Sequence, residues 1–153
     1  MEDIAGLTKL NFLIHVGVTL CMVGIIWFVQ LVHYPLFKMV DPADFAAYEI
    51  AHSKRISPIV ATLMIAELFT AVLLLYFHPP EIPVPAIWLG LALVILIWLS
   101  TFFLQVPQHN ILSSGFDERA HQFLTNSNWI RTAAWSIRGG LIIWMLDTIL
   151  HRS

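Results

Sequence analysis

The sequence has few charged side chains. Asp, Glu, Lys and Arg make up 12% of its 153 residues, whereas an ordinary soluble domain carries about 25%. Hydrophobic residues make up 58%, and the mean hydropathy is +0.77. The formal net charge is −2, and no basic patch with interleaved aromatic residues occurs, so nucleic acid is not an expected partner. The composition indicates a protein whose main partner is the lipid bilayer.

Cysteine is nearly absent as well. Cys21 is the single one, so no internal disulfide can form. Cysteine usage therefore does not indicate the redox compartment of the protein. A positively charged N-terminal region is also missing, because Glu2 and Asp3 stand there. The apolar run that follows is too long for the hydrophobic part of a signal peptide, and no A-x-A-like cleavage site closes it. We therefore expect a retained first membrane helix.

Four apolar runs are long enough to cross a membrane, since a helix needs roughly 20 residues to span a hydrocarbon core of about 30 Å. They cover about 11–32, 56–77, 86–106 and 129–146. Each run must be helical, because lipid offers no partner to unpaired backbone groups. We predict an all-α, polytopic protein: one four-helix transmembrane domain over residues 1–153.

Proline and acidic residues indicate where these helices begin and end. We expect breaks at Pro35, at Pro107 and across the proline-rich segment 78–85. The sequence DPAD from Asp41 predicts that the second helix begins well before its span. The stretch 117–124 predicts a short interfacial helix between the third and fourth spans.

The distribution of Lys and Arg predicts the orientation. Four spans place both termini on one side, which carries two of these residues, whereas the other side carries five. By the positive-inside rule the second side faces the cytoplasm. We therefore expect a multi-pass protein of a bacterial inner membrane with non-cytoplasmic termini, and a homo-oligomer is compatible with so short a chain. The five residues are Lys38, Lys54, Arg55, Arg119 and Arg131.

Polar side chains gather at the predicted cytoplasmic end, here called the histidine end. Alternating helix direction brings them together from all four helices, as in bundles that build sites from facing helices. We interpret four of them as catalytic candidates: His33, His52, His109 and Arg131. We interpret five more as candidates for binding a substrate: Gln30, Gln105, Asn110, Asn128 and Trp135. Residues such as Gln30, Glu49 and Asn110 are also typical of helix ends that only meet headgroups and water.

The three histidines leave several kinds of chemistry open. Neutral imidazole suits zinc, copper or iron, and an imidazole with its ordinary pKa near 6.5 moves protons at neutral pH. No local spacing such as H-x-x-x-H selects between a metal site formed by His33, His52 and His109, acid–base catalysis, and plain interfacial packing. Arg131 is placed to hold an anionic or carbonyl oxygen, because a guanidinium offers a fixed fork of donors.

Glu67 and Arg138 lie near the middle of the bilayer. They are 11 and 9 residues inside the second and fourth spans, or some 14–17 Å deep at about 1.5 Å per residue. A lone charge there costs at least about 2.5–3.5 kcal/mol. Similar depth and opposite sign predict that the two side chains pair. They are candidates for a register-fixing pair, the floor of a substrate pocket or a proton relay.

Four motifs carry a resemblance to a known family: WFVQLVHYPLF (27–37), YEIAH (48–52), QVPQHN (105–110) and NWIRT (128–132). With them the chain resembles the small four-helix membrane proteins of the anthrone oxygenase-like group of unknown-function domains. The resemblance implies an oxidoreductase-like pocket at the histidine end. It does not imply which substrate the pocket takes. Its implied site residues are Gln30, His33, His52, Gln105, His109, Asn128 and Arg131.

A weaker likeness, through Trp27-Phe28 and Pro35-x-Phe37, is to small haem-associated protoporphyrinogen oxidases of bacteria. The sequence thus leaves two hypotheses ahead of a transporter or a structural subunit. The first is a membrane oxidoreductase, of oxygenase type, that acts on a hydrophobic small molecule. The second is a carrier that binds haem or a transition metal (copper, iron or zinc) without catalysis.

Overall fold

The computed structural model describes residues 2–152, with side chains from 5 to 151. Within these residues four helices are long and apolar enough to cross a membrane, which confirms the predicted four-helix bundle. All four extend beyond the predicted spans at the histidine end, so part of the bundle stands outside the hydrocarbon region. The helices are α1 (Ala5–Met39), α2 (Phe45–Tyr76), α3 (Val84–Leu112) and α4 (Glu118–His151).

The second helix begins early, as predicted. Asp44 immediately precedes it, and the carbonyl of Asp44 accepts the backbone N–H of Tyr48. The side chain of Asp41 accepts the backbone N–H of Ala43 at 2.9 Å and holds the turn before the helix. These contacts add three helical turns above the predicted span, and these turns carry Glu49 and His52.

Two predicted helix breaks are wrong. The chain passes Pro35 and Pro107 without leaving helical geometry. A π-helical segment precedes each proline: Val29–His33 in α1 and Thr101–Gln105 in α3. Both segments lie at the histidine end and carry candidate site residues, and such segments are frequent at functional sites.

The π geometry explains why the prolines do not end the helices. Proline lacks a backbone N–H, and its ring meets the carbonyl four residues earlier in a regular α-helix. Here the backbone N–H of Tyr34 bonds to the carbonyl of Val29, and that of Val106 bonds to Thr101, each five residues back. The wider turn shifts the carbonyls away from the proline ring, so the helix continues.

The predicted interfacial helix over 117–124 is not a separate element. α4 is continuous from Glu118 to His151, so these residues form its first turns. Leu124 is fully buried and packs in the core instead of lying on a membrane surface. Asn128, whose residue type favours a helix end, is also buried and bonds to the Gln30 side chain on α1. Tertiary packing therefore keeps the helix unbroken.

Two apolar clusters flank the candidate site. An aromatic cluster closes the histidine end above it, and a second cluster packs in the bundle below it. The first includes Phe37, Phe45, Leu112 and Leu124. The second includes Met22, Ile26, Met64, Ile97 and Trp135. Polar side chains between two such layers are shielded from water, which strengthens their electrostatic interactions.

Candidate functional site

The three predicted histidines lie together. His33 Nε2 is 2.8 Å from His52 Nδ1, and the ring centroids of His52 and His109 are 5.9 Å apart. The π-helical segment ending at His33 brings this side chain against α2. Helices α1, α2 and α3 thus each contribute one imidazole to the same place.

Glu49 joins the histidines from one turn earlier on α2. It is fully buried, and its Oε1 lies 2.6 Å from His109 Nδ1 and 3.0 Å from the Ser53 hydroxyl, which donates to it. An ionised carboxylate only accepts, so against ionised Glu49 the His109 Nδ1 is the donor in this contact. The other carboxylate oxygen of Glu49, Oε2, is buried with no donor among the described residues.

Glu49, His52 and His109 are close enough together that they could hold a metal ion. One ligand-capable atom from each lies within 4.8 Å of the others, and among the described side chains this is the one group of three that meets this distance. The sequence predicted His33 in the place that Glu49 takes. His33 bonds to His52 Nδ1, which fixes the ring of His52 and leaves its Nε2 available to a ligand.

Tyr34 continues the chain of polar contacts towards α4. Its hydroxyl is 3.1 Å from His109 Nε2, and it donates there when His109 is neutral with its proton on Nδ1. The phenol also lies beside the guanidinium of Arg131. Glu49, His109, Tyr34 and Arg131 therefore form a row of contacts in which a proton can move between the phenol and the imidazole.

A cavity of about 260 Å³ opens beside this row. Most of its wall is apolar, and its polar groups converge at the histidine end. The apolar wall includes Ile26, Met64, Val60, Trp98 and Phe102. The polar end is formed by Tyr34, His52, Gln105, His109 and Arg131. Apolar pockets with a few convergent polar groups are typical of small-molecule sites.

Amide side chains hold Arg131 at the cavity. Its Nε and Nη2 donate to Asn128 Oδ1 at 2.9 and 2.6 Å, and Nη1 donates to the Thr101 hydroxyl at 3.2 Å. Asn128 in turn donates to Gln30 Oε1 at 2.8 Å. Gln30 and Asn128, both predicted to touch a substrate, do not line the cavity but bond to each other, and Asn128 bonds to Arg131.

The other predicted binding residues divide into two groups. Gln105 and Trp135 line the cavity, and Gln105 is held by Ser127, whose hydroxyl accepts from its amide at 3.0 Å. Asn110 is not brought to the cavity: this residue is exposed and outside the cavity wall. Consecutive helical residues point about 100° apart, so a helix that turns His109 inward turns Asn110 away.

Glu67 and Arg138 form a separate polar cluster below the cavity. They pair at 3.0 Å, are 1% and 2% exposed, and do not line the cavity. Glu67 also accepts from Thr19 and from the indole of Trp135, each at 3.0 Å. The expected pocket floor is thus formed by Trp135, which this ion pair holds from behind.

Sequence reasoning missed three members of these clusters. Tyr34 and Glu49 lie in the motifs 27–37 and 48–52, but a single sequence does not reveal that their side chains are buried. His15 was assigned no role, yet it is buried and bonds to Thr70 at 2.7 Å and to Arg138 at 3.2 Å. Its position inside the first apolar run was the available signal.

Comparisons of the chain with protein-family models, curated proteins and solved structures find no match. The family resemblance drawn from the sequence therefore stays a prediction, and the function has to be argued from the site itself.

Proposed function

We propose that this chain is a membrane-embedded oxidoreductase of oxygenase type, which acts on a hydrophobic small molecule with a transition metal held by Glu49, His52 and His109. The observation that carries the proposal is Glu49 Oε2, a buried carboxylate oxygen without a donor, beside two imidazoles. A buried polar atom left without a partner costs about 1–3 kcal/mol, and more when it is charged. A metal ion would remove this cost.

The charge on Glu49 also calls for a cation. Among the described residues no Lys or Arg lies within ion-pair distance of it, and its partner His109 is charged only when protonated. Two histidines and one carboxylate are the ligand set of the non-haem iron(II) oxygenases, which keep positions open for reactants. Iron is therefore the metal that the donor atoms favour.

The remaining polar residues fit catalysis on a bound molecule. The Tyr34 hydroxyl lies beside His109 at the polar end of the cavity, where it can hold or pass a proton. Arg131 offers N–H donors to an oxygen of the substrate. The apolar wall takes the hydrophobic body, which reaches the site from the lipid.

The alternative is a carrier that binds a metal or haem through the same histidines. It explains the metal ligands equally well. The Tyr34 hydroxyl beside His109, and an arginine fixed by Asn128 at the cavity, favour the enzyme, because storage of a metal needs neither of these two side chains.

Elemental analysis and an absorption spectrum of the purified protein test the proposal. We expect stoichiometric iron, or copper or zinc in its place, which a chelator removes and the free ion restores. His78→Ala is the matched control, since His78 lies at the opposite end of the bundle, and it should keep the full metal content. A Soret band would establish the carrier hypothesis in its haem form. A chain that takes up no metal on reconstitution would refute the metal site.

The orientation is proposed from charge. Arg131 is buried in the site, so it no longer counts as a flanking charge, and the histidine end retains Lys38, Lys54, Arg55 and Arg119. These still outnumber Lys9 and Arg152 at the other end. We propose that the histidine end faces the cytoplasm of a bacterial inner membrane.

Reporter fusions at the two termini check this orientation. We expect both to be active only as periplasmic reporters, because the Lys/Arg bias keeps the histidine end inside. A fusion in the connection between α1 and α2 is the internal control and should give the opposite result. Cytoplasmic signals from both termini would reverse the assignment.

A further inference from the structure

Two arginines project from the same face of α4, and they differ in their partners. Arg138 is paired with the carboxylate of Glu67, and its Nη1 donates to the carbonyl of Gly90. Arg131, seven residues earlier, is 7% exposed, and its partners carry no formal negative charge: it donates to Asn128 and Thr101 and lies beside the Tyr34 phenol and the Trp135 ring. Among the described residues no carboxylate lies within ion-pair distance of Arg131.

The position of Arg131 distinguishes it further. It lines the central cavity, whereas Arg138 does not. A buried charge without a counter-ion is costly in protein and more so within a membrane. The protein meets this cost at Arg138 with its own glutamate. At Arg131 it leaves the guanidinium facing a cavity whose other walls are largely apolar.

The carboxylate of the candidate site, Glu49, does not balance the charge of Arg131. Glu49 is separated from Arg131 by His109 and Tyr34, and its Oε1 is bonded to His109. If Glu49 also holds a metal, its negative charge is already used, and the site carries a surplus of positive charge. A ligand that brings a negative charge would restore the balance.

We propose that Arg131 binds an anionic oxygen, a carboxylate in the simplest case, at one end of an otherwise apolar small molecule that fills the cavity. The proposal names the substrate class of the proposed function and in that sense rests on it. The guanidinium has five N–H donors, and three N–H···O contacts to side chains are taken up by Asn128 and Thr101. Two donors remain for the Tyr34 hydroxyl beside the guanidinium and for a ligand in the cavity that Arg131 lines.

The position of the anion would orient the rest of the molecule. Arg131, Tyr34 and His109 share the polar end of the cavity with His52. An oxygen held by Arg131 therefore places the adjoining carbon atoms of the ligand beside the candidate metal ligands. The apolar remainder lies along Trp98, Phe102 and Met64.

Direct binding of two probes of equal shape tests the proposal. 1-Naphthoate is anionic at neutral pH, and 1-naphthamide is its neutral counterpart. Dissociation constants are measured for the protein in phosphatidylcholine nanodiscs, with uptake by empty nanodiscs subtracted. We expect naphthoate to bind at least about tenfold more tightly, the effect of a hydrogen bond to a charged group. Equal affinities for the two probes would overturn the proposal.

Variants assign the preference to Arg131. Arg131→Gln should bind both probes alike, and Arg131→Lys should keep part of the preference, since it keeps the charge without the fork of donors. Arg119→Gln removes the same charge from an exposed position on α4 and should behave as the wild type. A preference that survives in Arg131→Gln refutes the assignment. If that variant does not fold, the wild-type comparison of the two probes decides.

Two further measurements separate the possible sources of the anion and the two proposals. Added phosphatidylglycerol that competes with naphthoate would identify the anionic oxygen as that of a lipid, and no competition would identify a free amphiphile. Glu49→Gln should lose the metal and keep the preference for naphthoate. A preference in protein that never binds metal supports the anion site alone, whereas metal binding with no preference supports the metal site alone.

Discussion

Glu67→Gln is expected to lower the free energy of unfolding by about 3–5 kcal/mol, because it leaves Arg138 as an unpaired buried charge. Glu67 and Arg138 are 1% and 2% exposed and are joined at 3.0 Å. Glutamine keeps the shape of the side chain but only one acceptor oxygen, so it can accept from Thr19 or from Trp135, which donate to different oxygens of Glu67. The loss therefore reports on the charge and one hydrogen bond, and not on packing.

Unfolding in mixed micelles of mild and denaturing detergent gives the measurement. Asp147→Asn is the matched control, since it removes an exposed carboxylate on α4 that is paired only with exposed His151, and it should change the free energy by less than about 0.5 kcal/mol. Replacing both partners, as Glu67→Leu with Arg138→Met, should recover much of the loss. A Glu67→Gln protein as stable as the control would mean that Arg138 finds sufficient partners in His15, Thr19 and Gly90.

The sequence predicted this pair because two simple quantities suffice. Depth follows from counting residues into an apolar run, and the need for a partner follows from the cost of a charge in lipid. Neither quantity reveals rotation about the helix axis. The expectation that Glu67 and Arg138 touch a substrate was therefore open, and the structure instead places Trp135 between them and the cavity.

The sequence predicted less about Glu49 and Tyr34 than about the Glu67–Arg138 pair. Both stand where helix ends normally meet water, and single-sequence reasoning treats a polar residue there as solvated. The α1–α2 connection and the first turns of α4 cover them, with Phe37, Phe45 and Leu124 in a buried cluster. Burial depends on how the ends of four helices pack, and this is not visible in the spacing within one helix.

The sequence also could not predict that the helices continue through Pro35 and Pro107. A proline two residues after His33 or Gln105 is an ordinary sign of a helix end. The helices continue because each inserts a π turn before the proline. The insertion is stabilised by contacts from other helices, such as the bond from Asn128 to Gln30, and these contacts exist only in the assembled bundle.

Glu49→Gln is expected to weaken metal binding more than His33→Ala does, and this difference decides between the two ligand sets. The sequence alone predicts three histidines, whereas the structure groups His52 and His109 with Glu49. Loss of the His33 ring leaves the ligands in place and releases only the orientation of His52, which typically costs about 10–100-fold in affinity. Loss of the Glu49 charge removes a ligand and the compensating negative charge together, so the decrease should exceed that range.

Competition with a chelator of known affinity measures both effects in one detergent. Glutamine in place of Glu49 can still accept from His109 and Ser53, so the fold has no reason to change locally. His78→Ala, remote from the site, is the control, because it shows how much the metal affinity changes when an imidazole outside the site is lost. A larger loss in His33→Ala than in Glu49→Gln would restore the three-histidine site, with Glu49 then serving as the acceptor that fixes the ring of His109.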